Sequence, residues 1–329
     1  MPIERRRLLQ GASALALTAG TLPLRAETPF PSRPLRIVVP NAAGGAADLT
    51  ARAVGARMAA TLGKPVVIDN RPSAGGVVAG EAVARAQPDG HTLLLISSGS
   101  AVSEALFKKL PFDTLADFAP VSQLARFDLV IAVDGKNSRF KTLADLLAWA
   151  RANPGKLNIG TPQIGTTQNL AAELFKLSAG IDAQIVPFNG TPPVVTAVRG
   201  GQIDAMLDIL GPLMPNVQAQ SLRALAALGH DRAPELPNVP AIRESGGPLA
   251  SFDVSSWNGL AVPAKTPQDI VARLNRAVQD AVDHPEVKKQ LQALNMTAQG
   301  SSPGALHDFL AADIKRWQDV IVRAKLKKL

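Results

Sequence analysis

The 329-residue chain has no cysteine and no tyrosine, and its aromatic residues, all phenylalanine and tryptophan, make up only 4%. Without cysteine there is no disulfide framework, thiolate zinc site, iron–sulfur cluster or cysteine nucleophile. So few aromatics leave no stacking platform for nucleic acid and no tyrosine-rich recognition surface. Charged residues amount to 19%, with a net charge of +8. Arg5, Arg6, Arg7 and Arg25 against Glu4 supply +3 of this in the first 26 residues, and the remaining +5 is scattered. That balance is mildly suited to anionic ligands, and it contains no basic run of the kind that binds nucleic acid. What is abundant is apolar residue, 46% of the chain, enough for one large or two ordinary domains and too much for a disordered polymer.

The amino terminus reads as an address label. Arg5-Arg6-Arg7-Leu8-Leu9 precedes an apolar stretch from Gly11 to Leu24, and Leu24-Arg25-Ala26 follows it. A basic start, an apolar middle and a small residue at the cut make a signal peptide, residues 1–26, of twin-arginine type and cleaved near Ala26. A spanning helix is the weaker reading, because Gly11, Gly20 and Pro23 interrupt a run shorter than the ~20 residues a bilayer needs.

Beyond it, short apolar runs alternate with helical patterns, which predicts α/β architecture with mainly parallel strands. The expected strands are Leu35–Pro40, Val66–Asp69, Thr92–Ser97, Leu129–Val133, Leu157–Gly160, Ile185–Phe188, Ala205–Leu210, Arg223–Leu228 and Gly259–Val262. That number suggests two sheets. Thr142 with Asp145 forms a capping-box pattern before Leu143, Leu146 and Leu147. Thr266-Pro267 opens another helix, and a last one begins near Pro303, with Lys325, Lys327 and Lys328 at its C-terminus.

Three loops follow a strand and precede a helix, where an open α/β sheet binds ligands and free backbone N–H groups attract anions. The first is Asn41-Ala42-Ala43-Gly44-Gly45-Ala46-Ala47-Asp48. It matches neither the dinucleotide fingerprint nor the P-loop. Asp48 either faces a ligand or caps the helix bearing Leu49, Ala53 and Ala56. The second, Gly160-Thr161-Pro162-Gln163-Ile164-Gly165-Thr166-Thr167, offers three hydroxyls, of which one suffices as a cap. In the third, Phe188-Asn189-Gly190-Thr191, Thr191 reads as an N-cap before Pro192, while Asn189 presents an amide. Ser97-Ser98-Gly99-Ser100 is a fourth, weaker candidate.

Taken in order along the chain, these features resemble the Bug-type periplasmic solute-binding proteins of tripartite tricarboxylate transporters. The resemblance rests on Arg33-Pro34-Leu35-Arg36-Ile37-Val38-Val39-Pro40 with Gly44-Gly45, Asp48 and Ala51-Arg52, then Asn70-Arg71-Pro72, Ala74-Gly75-Gly76 and Pro88-Asp89-Gly90. Leu110-Pro111-Phe112-Asp113, Pro154-Gly155-Lys156-Leu157, Val186-Pro187-Phe188 and Trp257-Asn258-Gly259-Leu260 continue it over nearly the whole chain. It implies a two-lobed, type II-like periplasmic binding fold with the ligand cleft between the lobes. One lobe takes residues 27–124 and 262–329, the other 125–261. It implies a small carboxylate-bearing ligand, an organic acid or amino acid, held by Ala43, Gly44, Gly45, Thr161, Gly165, Thr166 and Thr167, with Asp208 on a cleft-lining segment or else solvated. With Asn41, Asp48, Ser97 and Asn189 these residues make the expected site. Integral membrane transporter subunits are the implied partners, a periplasmic monomer is expected, and no cofactor, metal or nucleic acid is implied. Two departures touch the cleft. Asn41 and Ala43 stand where the family usually has an aromatic or apolar residue and a proline, and Ser103-Glu104 replaces the usual Asn-Pro.

Two other classes remain at this stage. A secreted hydrolase needs a nucleophile and an oriented base, but His91, His230, His284 and His307 are far apart, and none sits in a candidate loop. A sensor adaptor, docking on a signalling ectodomain, is not separable from transport by sequence.

Overall fold

The computed structural model describes residues 30–329, so the expected signal peptide lies outside the described residues. In chain order the first elements are β1 (Leu35–Val39), α1 (Ala46–Leu62), β2 (Val66–Asn70), α2 (Val77–Ala84), β3 (Thr92–Ser97), α3 (Ser98–Leu106) and β4 (Phe118–Asp134). Then come α4 (Leu143–Ala152), β5 (Leu157–Thr161), α5 (Thr167–Ala179), β6 (Ala183–Pro187), α6 (Thr191–Arg199), β7 (Ala205–Ile209), α7 (Leu210–Gln218) and β8 (Leu222–Ala227). The last are β9 (Ser255–Pro263), α8 (Gln268–Asp283), α9 (Pro285–Gln292), β10 (Thr297–Ala298) and α10 (Pro303–Arg323).

The strands follow one path, β2-β1-β3-β9-β4-β7-β5-β6, with β8 and β10 paired to β4. The two sheets expected from sequence are thus joined through one strand. Residues 118–128 of β4 pair with β9, and 129–134 pair with β7 and β8. Parallel pairing is confined to the two wings, β2-β1-β3 and β7-β5-β6. Every ladder on β4 and β9 is antiparallel, which corrects the mainly parallel expectation.

Helices cover both faces, because a sheet hydrophobic on two sides must be buried twice. On one side Ala51, Val54 and Met58 of α1 pack with α8 and α9 against Ile37, Leu93 and Leu95. On the other, α2, α3 and α10 cover Val38, Leu94 and Ile96, in a core that continues under α4 and α5. Val194, Ala197 and Val198 of α6 and Leu213 of α7 close the far side of β7. The Thr142–Asp145 capping box and the start of α10 at Pro303 form as predicted. The helix α10 ends at Arg323, however. Lys325 lies in the turn that closes it, and Lys327 and Lys328 belong to a tail whose Leu329 N–H donates to the Leu106 carbonyl, 3.0 Å away.

Strand β4 begins well before the expected Leu129, and β9 before Gly259. Polar residues hid both. Ser122 and Gln123 are buried yet paired, with Ser301 N–H donating to Ser122 Oγ at 3.0 Å and Gln123 N–H to Ser301 Oγ at 3.0 Å. Buried polar groups are tolerated when bonded, and the partner lies too far along the chain for any local pattern to reveal it. Residues Asn258–Ala261 pair with β3, so the chain joins that part of the sheet before the boundary expected at 262.

Candidate functional site

A cleft of about 470 Å³ opens where the wings meet, at the carboxyl ends of β1, β3 and β5. Three helix N-termini reach it. Gly45, Ala46 and Ala47 bring α1, Ser98, Gly99 and Ser100 bring α3, and Thr167 and Gln168 bring α5. Ser256 and Asn258 of β9 lie between them, and Phe127 and Ile209 complete the wall. None of the lining residues has a charged side chain. Positive partial charge there comes from peptide groups, since a helix N-terminus leaves N–H groups without intrahelical partners and carries about half a unit of positive charge.

The caps differ. Helix α1 follows Gly45, and no side chain caps it. Helix α3 has a complete capping box, Ser97 Oγ accepting from Gly99 N–H at 3.2 Å and Ser100 Oγ from Ser97 N–H at 3.1 Å. Thr166 caps α5, its Oγ1 accepting from Asn169 N–H at 3.2 Å and donating to the Gln163 carbonyl at 2.8 Å. Thr167 lines the cleft, and its hydroxyl makes no hydrogen bond among the described residues.

Of the expected residues, Asn41, Gly45, Ser97, Gly165, Thr166 and Thr167 line this cleft together. Ala43 and Gly44 are exposed on the same loop outside its lining. The other four stand behind it. Thr161 is buried, donating to the Pro162 carbonyl at 3.0 Å and accepting from Asn169 Nδ2 at 3.1 Å. Asn189 accepts from Gln163 Nε2 at 2.7 Å and so braces a lining side chain. Asp208 is fully buried, not solvated. It accepts from Gln168 Nε2 at 3.1 Å, Ile209 N–H at 2.7 Å and Thr191 Oγ1 at 2.7 Å. Burial pushes its carboxyl up, against those three donors. Thr191 is the first residue of α6 and not its cap.

Asp48 is also buried, at 1% exposure. Its Oδ2 accepts from Gly44 N–H at 2.8 Å and Arg52 Nε at 2.9 Å. The Arg52 bond holds the carboxyl below its usual range although burial opposes this.

Sequence reasoning missed Ser256, Asn258, Gln163 and Gln168. Ser256 and Asn258 are two apart and so face one side of a strand, but β9 had been expected to start at Gly259. Asn258 also supports α1. Its Nδ2 donates to Thr50 Oγ1 at 3.2 Å, and that hydroxyl donates to the Ala46 carbonyl at 2.8 Å.

The histidines lie elsewhere. His91 is buried and accepts from Ser32 N–H at 3.1 Å, His284 caps α9, and His230 and His307 are on the surface.

The sequence profile of the tripartite tricarboxylate transporter family receptor matches residues 50–326. Protein BugT of Bordetella pertussis (strain Tohama I) is 34% identical over 326 residues, spanning 98% of this chain and 99% of that protein. Among solved structures, MatC (Rpa3494) from Rhodopseudomonas palustris with bound malate is 34% identical, with a TM-score of 0.73 over 89% of this chain and all of that one. Rpa4515 of R. palustris with adipate is 30% identical, with a TM-score of 0.77 over 91% of this chain and all of that one.

Proposed function

Since this chain belongs to the tripartite tricarboxylate transporter receptor family, whose members are periplasmic solute-binding receptors and not enzymes, we propose that it captures one small carboxylate ligand per monomer in the cleft and delivers it to integral membrane transporter subunits. The secreted hydrolase weighed from sequence is set aside by that membership.

The observation that carries the reading is a cleft without charged side chains onto which three helix N-termini converge. Peptide N–H groups and the hydroxyls of Ser97, Ser100 and Thr167 hold the carboxylate. Such fixed dipoles need no side-chain charge, and as the cleft closes over the ligand the loss of water strengthens each contact. Related proteins solved with malate and with adipate support a ligand of this class.

Helices α1 and α3 stand on one side of the cleft and α5 on the other, so a bound acid bridges both. Binding thereby favours a closed form, which the membrane subunits read. The lobes are 27–124 with 262–329, and 125–261. The pairing of Asn258–Ala261 with β3 favours moving the second crossing to just before Asn258. Residues 1–26 direct export to the periplasm by the twin-arginine route.

The test is a thermal-shift panel of dicarboxylates, tricarboxylates, acidic amino acids and aromatic acids, followed by calorimetry and small-angle scattering. At 100 times Kd, a true ligand adds about 2.7 kcal/mol to stability and raises the midpoint by several degrees. The radius of gyration should shrink as it binds. A panel in which no acid protects the protein, or one member of which is converted to product, refutes the proposal.

A further inference from the structure

Asp48 lies in the first turn of α1, directly behind the loop 41–45, yet it does not line the cleft. Its bonds belong to a circuit. Gly44 N–H donates to Asp48 Oδ2 at 2.8 Å, and Arg52 Nε donates to the same oxygen at 2.9 Å. Arg52 Nη2 then donates to Asn70 Oδ1 at 3.3 Å, and Asn70 Nδ2 donates to the Asn41 carbonyl at 3.1 Å. The circuit starts on one end of the loop and finishes on the other. Between them are two residues of α1, Asp48 and Arg52, and the last residue of β2, on elements fixed by the sheet and its covering helices.

We propose that Asp48, Arg52 and Asn70 form a strut that clamps the first loop at both ends, making them positioning residues that set the affinity of the cleft without touching the ligand. This rests on the carboxylate-binding reading given above.

The loop has little else to hold it. Gly44 has φ +82°, a conformation that other residues adopt only under strain. A Cβ at Gly44 would meet nothing within 4 Å, so packing does not fix this turn. Asn41 and Gly45, at the ends of the same loop, do line the cleft. An error in the loop is therefore carried straight to the N–H groups at the start of α1. Charge matters too. A bare carboxylate at the first turn of α1 would stabilise the helix but repel an incoming anion. Arg52, about half exposed, cancels that charge from the side away from the cleft. It does two jobs, neutralising Asp48 and bridging to Asn70, and a lysine can do only the first, because it lacks the forked donors.

The experiment compares Arg52→Met, Arg52→Lys and Asn70→Ala in the full mature chain. Two quantities are read, the exchange rate of the Gly44 backbone amide in ligand-free protein, by NMR, and the calorimetric Kd for malate and adipate. Arg52→Met should speed Gly44 exchange and raise Kd, each by about tenfold, as expected for loss of a charge-assisted bond. The unfolding midpoint should fall as well, because the buried Asp48 carboxylate loses a donor. Arg52→Lys should recover part of both losses. Asn70→Ala should add less to Arg52→Met than it costs alone, because both cut one circuit. Unchanged Gly44 exchange in Arg52→Met overturns the strut, and so does faster exchange with an unchanged Kd. If the unmodified protein binds neither acid, nor any in the wider panel, the functional reading fails, while Gly44 exchange still decides whether the strut holds the loop.

Discussion

Thr166 and Thr167 are neighbours with the same hydroxyl, and the structure gives them different work. Replacing each by valine keeps the branched shape and removes only the oxygen. At Thr166 that oxygen accepts from Asn169 N–H and donates to the Gln163 carbonyl. Removing a threonine N-cap costs about 1 kcal/mol, which for a protein of this size lowers the unfolding midpoint by roughly 2–3 °C. At Thr167, 4% exposed and on the cleft wall, the oxygen has no bond to lose within the protein. Its loss removes one hydrogen bond to the ligand, about 1 kcal/mol, or roughly a fivefold rise in Kd. The expected result is a double dissociation. Thr166→Val melts earlier and binds much as before. Thr167→Val melts as before and binds more weakly. Differential scanning calorimetry of ligand-free protein and titration calorimetry with malate or adipate read the two axes separately. The reasoning fails if Thr167→Val leaves Kd unchanged for every acid that binds, or if Thr166→Val weakens binding without lowering the midpoint.

Three further outcomes are open to measurement. Trp257→Phe removes the buried indole N–H that donates to Asp313 Oδ2 at 3.0 Å, leaving a buried carboxylate oxygen short of a donor at a cost of about 1–3 kcal/mol in urea unfolding; no loss would mean that Arg316 suffices. In Asp208 burial raises the carboxyl above the usual 3.8, so the fold binds its proton more tightly than the unfolded chain does; the cost of the ionised form is absent below that usual value and complete above the raised one, and stability falls as pH rises through the interval. Asp208→Asn should therefore gain on the unmodified protein as pH is raised from about 3.5 to 7, whereas a constant offset in midpoint refutes this. Gly160→Ala would drive a Cβ into Ile203 and Val194 beneath β5 and should cost about 1–3 kcal/mol by overpacking, measurable as a lower urea midpoint with the slope unchanged.

Elements governed by nearby residues were legible in the sequence. The Thr142–Asp145 box, the glycines before α1 and the largely apolar β1 need only a few residues of context. Strands β4 and β9 were half hidden because Ser122, Gln123, Ser256 and Asn258 are polar and buried, and their partners come from distant segments. The same limit acted at the site. Pattern put Thr161 and Asp48 near Thr167, since all three flank strand–helix junctions, and the family resemblance added Asp208. Whether such a group faces the cleft or the core depends on Asn169, Arg52 and Thr191, which meet it only in the folded chain. The cleft itself was easier to find because strand ends and helix starts mark it, whatever side chains they carry.

The proposed grip by the polypeptide's own amides has a consequence for how such receptors diversify. Amides are present at every position except proline, do not titrate near neutrality, and survive almost any exchange of the residue that bears them. Mutation at Ile164, Phe107 or Asn41 can thus reshape the room around the rest of the molecule while the hold on its acid end persists. A lineage built this way can trade one nutrient for another without passing through a form that catches nothing.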